Sequence, residues 1–259
     1  LISLVKAILN APKQQHKQQQ KSSAQGSSTS DNTNDPEQIK KSAEKRLKIM
    51  QEFLETERDY VANLNTLRRE FVEKIKQEKI FQTSDNSTSA EQRLAQVFGL
   101  KDLNVIIGVN ELFLKELETV FDEKSFSATQ NSAYPREEKL ASIMLQYAVT
   151  FKLYSGYITN YRSMNEHVSA ELQKNTKFGE ILNEIKKKLK SENKRMVTLN
   201  SYQILPVQRM PRYRLLLEEV MKNSSQNFLF FENLSKAKLL ISEITDYCNE
   251  KTRDFEQSA

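Results

Sequence analysis

The chain of 259 residues carries a formal net charge of +5 and only five Gly and five Pro. So little turn chemistry excludes a sandwich, a barrel or a doubly wound sheet, and an all-α fold is expected. With 28% charged residues and a mean hydropathy of −0.65, it is not a membrane-embedded chain. One cysteine, Cys248, and two isolated histidines, His16 and His167, exclude a disulfide framework, a Cys-rich zinc site and a His-built metal centre. No metal and no other cofactor is expected, and the lone thiol fits a reducing, cytoplasmic location.

The sequence opens at Leu1 rather than at a methionine, as a piece of something longer does. Apolar residues at Leu1, Leu4, Val5, Ile8 and Leu9 make one stripe of a short helix over residues 1–11. It is too short to be stable alone. Two readings stand: the remnant of an upstream domain, or an inhibitory helix that docks on the main domain. Residues 12–38 are rich in Gln, Ser, Asn and Lys and hold no large apolar side chain, so they read as a disordered linker.

Residues 39–259 are expected to form one domain, an elongated bundle of about six helices. The first helix spans 39–81, with Leu47, Met50, Leu54, Val61, Leu64, Phe71 and Ile75 as its apolar positions and no Gly or Pro. The second covers 91–121, weakened at Gly99 and Gly108. Residues 122–137, including Pro135, read as a loop. The remaining helices are expected over 138–172, 177–189, 199–223 and 228–255.

Two features depart from a plain core pattern. One heptad column of the first helix reads Met50, Glu57, Leu64, Phe71, so a carboxylate sits where a hydrophobe belongs. Burying it without a partner is costly. Either the stripe is open near that turn, or something positive or hydrogen-bonding meets Glu57, such as an Arg or Lys of a neighbouring helix. The second feature is the run Pro206-Val207-Gln208-Arg209-Met210-Pro211-Arg212-Tyr213, followed by Leu215-Leu216-Leu217. Two prolines five residues apart bend or restart a helix, each at a cost of about 3 kcal/mol in a helix interior. A local rule broken this plainly marks a working surface more often than a core. The arginines do not extend into a basic face, and Glu218 and Glu219 follow at once, so no nucleic-acid partner is expected. No phosphate-loop or zinc-protease motif occurs, which leaves no support for a hydrolase or transferase.

The proline–arginine run closely resembles the most characteristic stretch of the Dbl-homology domain, the exchange module of Rho-family guanine nucleotide exchange factors. Phe53-Leu54-Glu55-Thr56-Glu57-Arg58-Asp59-Tyr60-Val61 resembles the family's first conserved region, and Tyr154, Tyr157 and Asn160-Tyr161 resemble its third helix. The resemblance implies a helical bundle that binds a Rho-family small GTPase, remodels its switch regions and promotes GDP release without covalent chemistry. It implies that Glu57 meets the first switch, and that Leu205, Gln208, Arg209, Arg212 and Ser242 lie on the GTPase-binding surface. Leu205 stands where many members carry Lys, and Ser242 stands near a position where Asn is common. These departures support the alternative of a helical scaffold with weak or no exchange activity. Val197 matches the position that packs against the GTPase residue that is Trp in Rac proteins and Phe in the Cdc and Rho types. A small Val leaves room for the indole, so Rac-like partners are favoured. Because the charge surplus of +5 is modest, direct membrane binding by this stretch is not expected, and membrane recruitment would depend on regions outside this chain.

Overall fold

The computed structural model describes residues 36–82, 89–122 and 133–257. The expected short helix over 1–11 lies outside the described residues, as does the expected linker as far as residue 35. Every regular element among the described residues is helical.

Helix α1 (Pro36–Thr66) is 31 residues long, about 46 Å at 1.5 Å per residue. It runs on through a π-helical segment, Leu67–Glu73, into α2 (Lys74–Gln77). The wider π turn resets the buried stripe, so that Leu67, Glu70, Phe71 and Val72 all face inward. Apolar periodicity alone does not signal this segment.

The second expected helix is two, α3 (Ala90–Phe98) and α4 (Leu100–Glu118), because Gly99 adopts a left-handed φ of 58° and its N–H donates to the Ala95 carbonyl at 2.8 Å. Gly108, by contrast, stays helical, with open space where a Cβ would sit. The two glycines therefore respond oppositely to alanine. Gly99→Ala is expected to cost about 1–2 kcal/mol for the left-handed backbone, with a further clash against Met164 Sδ at 2.9 Å. Gly108→Ala should gain about 0.8–1 kcal/mol of helix propensity. Urea denaturation of the pair checks both signs.

Pro135 opens α5 (Pro135–Thr150) rather than sitting in a loop, since a first-turn proline loses no helical hydrogen bond. A 3-10 turn, Phe151–Leu153, joins α5 to α6 (Tyr154–Lys174). Helix α7 (Thr176–Ser191) is capped by Asn175, which accepts from the Phe178 N–H at 3.2 Å. The five-residue α8 (Leu199–Gln203) begins with a Thr198–Ser201 capping box. Helix α9 (Leu205–Lys222) restarts immediately before Pro206, as the prolines require, and then accommodates Pro211 in its interior. Helix α10 (Leu229–Gln257) completes the bundle.

Helix α10 packs on α5 and α9, while α1 packs on α4 and α9. Where α1, α4 and α9 meet, an aromatic core forms around Phe113. Its ring makes edge contacts with Phe151 at 5.4 Å and Tyr213 at 5.7 Å, and Tyr213 stacks on Phe53 at 5.6 Å and on Phe151 at 4.9 Å. Aromatic pairs of this kind contribute about 0.5–1.5 kcal/mol beyond area burial. They fix the height and rotation of α9 against α1. Farther along α1, the buried Arg46 donates to Glu137 at 3.1 Å and to the Asn223 carbonyl at 2.8 Å, which ties the start of α5 and the end of α9 to the same helix.

Candidate functional site

Directly above the aromatic core, Glu57 of α1 is fully buried, with 0% exposure. Its Oε2 accepts from the Arg209 guanidinium through Nη2 and through Nε at 3.2 Å, and from the Tyr213 hydroxyl at 2.7 Å. The guanidinium lies between the Tyr60 and Tyr213 rings, 4.9 and 4.6 Å from their centroids. Tyr213 also reaches Asn110 Oδ1 at 3.0 Å, Asn110 donates to Tyr154 at 2.5 Å, and the Tyr154 and Tyr60 hydroxyls are 3.1 Å apart. Four helices thus share one polar network. Burial pushes the Glu57 carboxyl above its usual 4.5, and the Arg209 charge and the Tyr213 hydrogen bond pull part of that back. Burial holds the Tyr60 and Tyr213 phenols well above 10.0, so Tyr213 keeps the proton that it donates.

The expectation that Glu57 meets a visiting GTPase is corrected by this geometry. The cation comes from within the bundle, and the side chain is sealed beneath the surface. Of the readings left open by the sequence, the one observed is an Arg of a neighbouring helix. The buried pair ties α9 to α1 across the bundle. Glu57 Oε1 is buried too, with no hydrogen-bond partner among the described residues.

The accessible surface is a groove of about 320 Å³ between the same two helices. Helix α9 contributes Leu205, Gln208, Arg209 and Arg212, and α1 contributes Thr56, Asp59, Tyr60 and Asn63. Of the residues singled out from the sequence, the structure therefore gathers Leu205, Gln208, Arg209 and Arg212 in one place. Arg209 shows the groove only its edge, being 6% exposed and committed to Glu57. Val197 lies half-buried in the α7–α8 connection, and Ser242 lies half-buried on α10; neither lines this groove.

One residue that sequence reasoning passed over is Glu52. It is ion-paired with Arg212 at the rim of the groove, and the two side chains are 48% and 45% exposed. With Asp59 in the groove, Glu52 at its rim is thus a carboxylate on this face that a partner can reach. Its signal was present: positions 52, 56, 59 and 63 recur at helical spacing as a polar column beside the apolar stripe. Such a column reads as an ordinary solvated face until the groove beside it is seen.

Comparison with known proteins bears on the family and the fold. A family model described as the RhoGEF domain matches residues 49–249. "Kinase and exchange factor for Rac B" of Dictyostelium discoideum is 28% identical over 218 residues, which is 84% of this chain and 18% of that protein. "FYVE, RhoGEF and PH domain-containing protein 2" of Homo sapiens is 30% identical over 172 residues, 66% of this chain and 24% of the relative. The chain therefore spans less than a quarter of the length of these two relatives. Among solved structures, the DH/PH domains of p115-RhoGEF superpose with a TM-score of 0.66 at 21% identity, over 84% of this chain and 58% of that one. At that identity the likeness establishes the fold.

Proposed function

Because the chain belongs to the RhoGEF domain family, we propose that it is a guanine nucleotide exchange module that receives a Rho-family small GTPase on the α1–α9 groove. The observation that carries the reading is the pairing of two layers. Below lies the rigid Glu57–Arg209–Tyr213 network, and above it lies a rim whose Glu52–Arg212 pair is half in water. A solvent-exposed pair costs only about 0–1 kcal/mol to open. Glu52 can therefore exchange Arg212 for donors on a guest without disturbing the bundle, whereas Glu57 cannot. Gln208 and Leu205 offer an amide and an apolar contact beside it.

The module acts by differential affinity. If it binds the nucleotide-free GTPase more tightly than the nucleotide-bound form, it must lower nucleotide affinity by the same factor. Interactions made only with the empty state speed release, and no covalent bond in the GTPase or nucleotide changes. The apolar Leu205 replaces charge on this face with contact area.

Rac-like GTPases are the favoured partners, on the strength of the small Val197 in the α7–α8 connection. The test is release of a fluorescent guanine nucleotide from purified Rac-, Cdc- and Rho-type GTPases. Acceleration on the Rac type above the others is expected, and Val197→Leu should shift the preference toward Phe-bearing GTPases. A variant that neither gains activity on those nor loses any on Rac-like ones would remove the role given to Val197. Absence of acceleration on every GTPase would instead favour the inert scaffold.

A further inference from the structure

The groove does not use α7. Its inward face is apolar, with Phe178, Ile181, Ile185 and Leu189 buried at helical spacing. On one flank, Glu184 takes Lys74 at 3.2 Å, and Lys188 pairs with the buried Glu70 of the π-helical segment. The opposite, outward face carries Asn183, Lys186, Lys187 and Lys190, which line a shallow depression of about 360 Å³. These three lysines are exposed and take part in no ion pair among the described residues. The negative end of the helix dipole accounts for a cation in the last turn, such as Lys190, but its influence fades over the turn before. At the other end of the same face, Leu172 of α6 lies 3.8 Å from the Cβ position of Gly179 and is 48% exposed.

From this arrangement we infer that the outward face of α7 is a contact surface for membranes bearing anionic phospholipids. Three lysines on one helix face, with no acidic partner among them, leave a local positive charge that the whole-chain surplus of +5 does not convey. Lysine is a compact charge on a flexible stem, suited to a fluid array of phosphate headgroups, whereas fixed phosphate geometry favours the arginine fork. The depression holds no arginine and no aromatic ring, the two groups that nucleic-acid surfaces combine with lysine. An exposed leucine at the margin suits the boundary between headgroups and acyl chains. Each such lysine contributes about 1 kcal/mol near an anionic surface. The expectation of no direct membrane contact drew on the charge average, and it is the clustering that revises it.

The test is co-sedimentation of the 259-residue chain with phosphatidylcholine vesicles, with and without phosphatidylserine, and requires no GTPase. Binding is expected only with phosphatidylserine and should weaken as salt is raised. Lys186→Gln/Lys187→Gln/Lys190→Gln should lower the partition coefficient on the order of 100-fold, the equivalent of three such contributions. Lys45→Gln/Lys48→Gln/Lys101→Gln, which removes equal charge from exposed positions elsewhere, should change it only a few-fold. Unaltered far-UV circular dichroism would establish that both variants are folded. The proposal is overturned by equal binding to neutral vesicles, by no binding, or by equal loss in the control variant. It is overturned equally if duplex DNA or a soluble inositol polyphosphate binds through these lysines while vesicles do not.

Discussion

Glu57→Ala is expected to lower the unfolding free energy by about 3–5 kcal/mol, because it leaves the Arg209 guanidinium buried and unpaired between two tyrosine rings. For a domain whose total stability is about 5–15 kcal/mol, that is a large share. Arg209→Ala should cost a similar amount, through the abandoned carboxylate. The double change Glu57→Leu/Arg209→Met should recover most of the loss, since well-packed hydrophobes often replace a buried pair at little cost. Urea midpoints for the two single variants and the double variant check this. The opposite pattern is informative: a Glu57→Ala variant with wild-type stability but no exchange activity would place the carboxylate at the surface and reject the buried network.

Glu52→Ala should show the converse behaviour. Its pair with Arg212 is about half exposed, so the stability change is expected to stay under about 1 kcal/mol. Exchange is expected to fall by about 30-fold or more, because truncating one partner of a charge-assisted contact that closes on binding costs about 2 kcal/mol or more. Glu52→Gln separates charge from shape, since it keeps the length of the side chain but donates where the carboxylate only accepts. Nucleotide-release rates read beside urea midpoints give the answer. Full exchange activity in Glu52→Ala would remove this residue from the docking surface and leave Gln208, Leu205 and Asp59 as its principal contacts. The two glutamates thus form a matched pair, five residues apart on one helix, for which stability and exchange are predicted to respond in opposite order.

Much of the architecture was legible because helical periodicity is a local property. Scarce Gly and Pro with apolar residues every three or four positions indicated helices, and Pro206 marked the restart at α9's first turn, whereas Gly99, which read only as a weak point, proved to be a break. Some divisions were not visible. The π-helical segment at Leu67–Glu73 depends on what Glu70 and Phe71 meet from α7 and α8: Lys188 for the former, and Tyr202, 5.5 Å between ring centroids, for the latter. Those partners lie more than a hundred residues away along the chain. Pro135 was misplaced for a related reason, since a proline ends one helix and begins another with equal ease, and the packing of α5 on α10 decides between them.

By itself, then, the sequence determined the helical class, the order of the elements and the family, through an eight-residue run whose prolines and arginines have few other uses. It also marked Glu57 as an anomaly, since a carboxylate in an apolar column stands out without coordinates. What it could not decide was which carboxylate faces inward and which faces a partner. Glu52 and Glu57 have the same chemistry, and they differ only in what the rest of the bundle puts beside them: water and a half-exposed arginine for one, two tyrosine rings and a buried guanidinium for the other. Solvation and pairing are set by contacts across more than 150 residues of chain, and only tertiary packing assigns them.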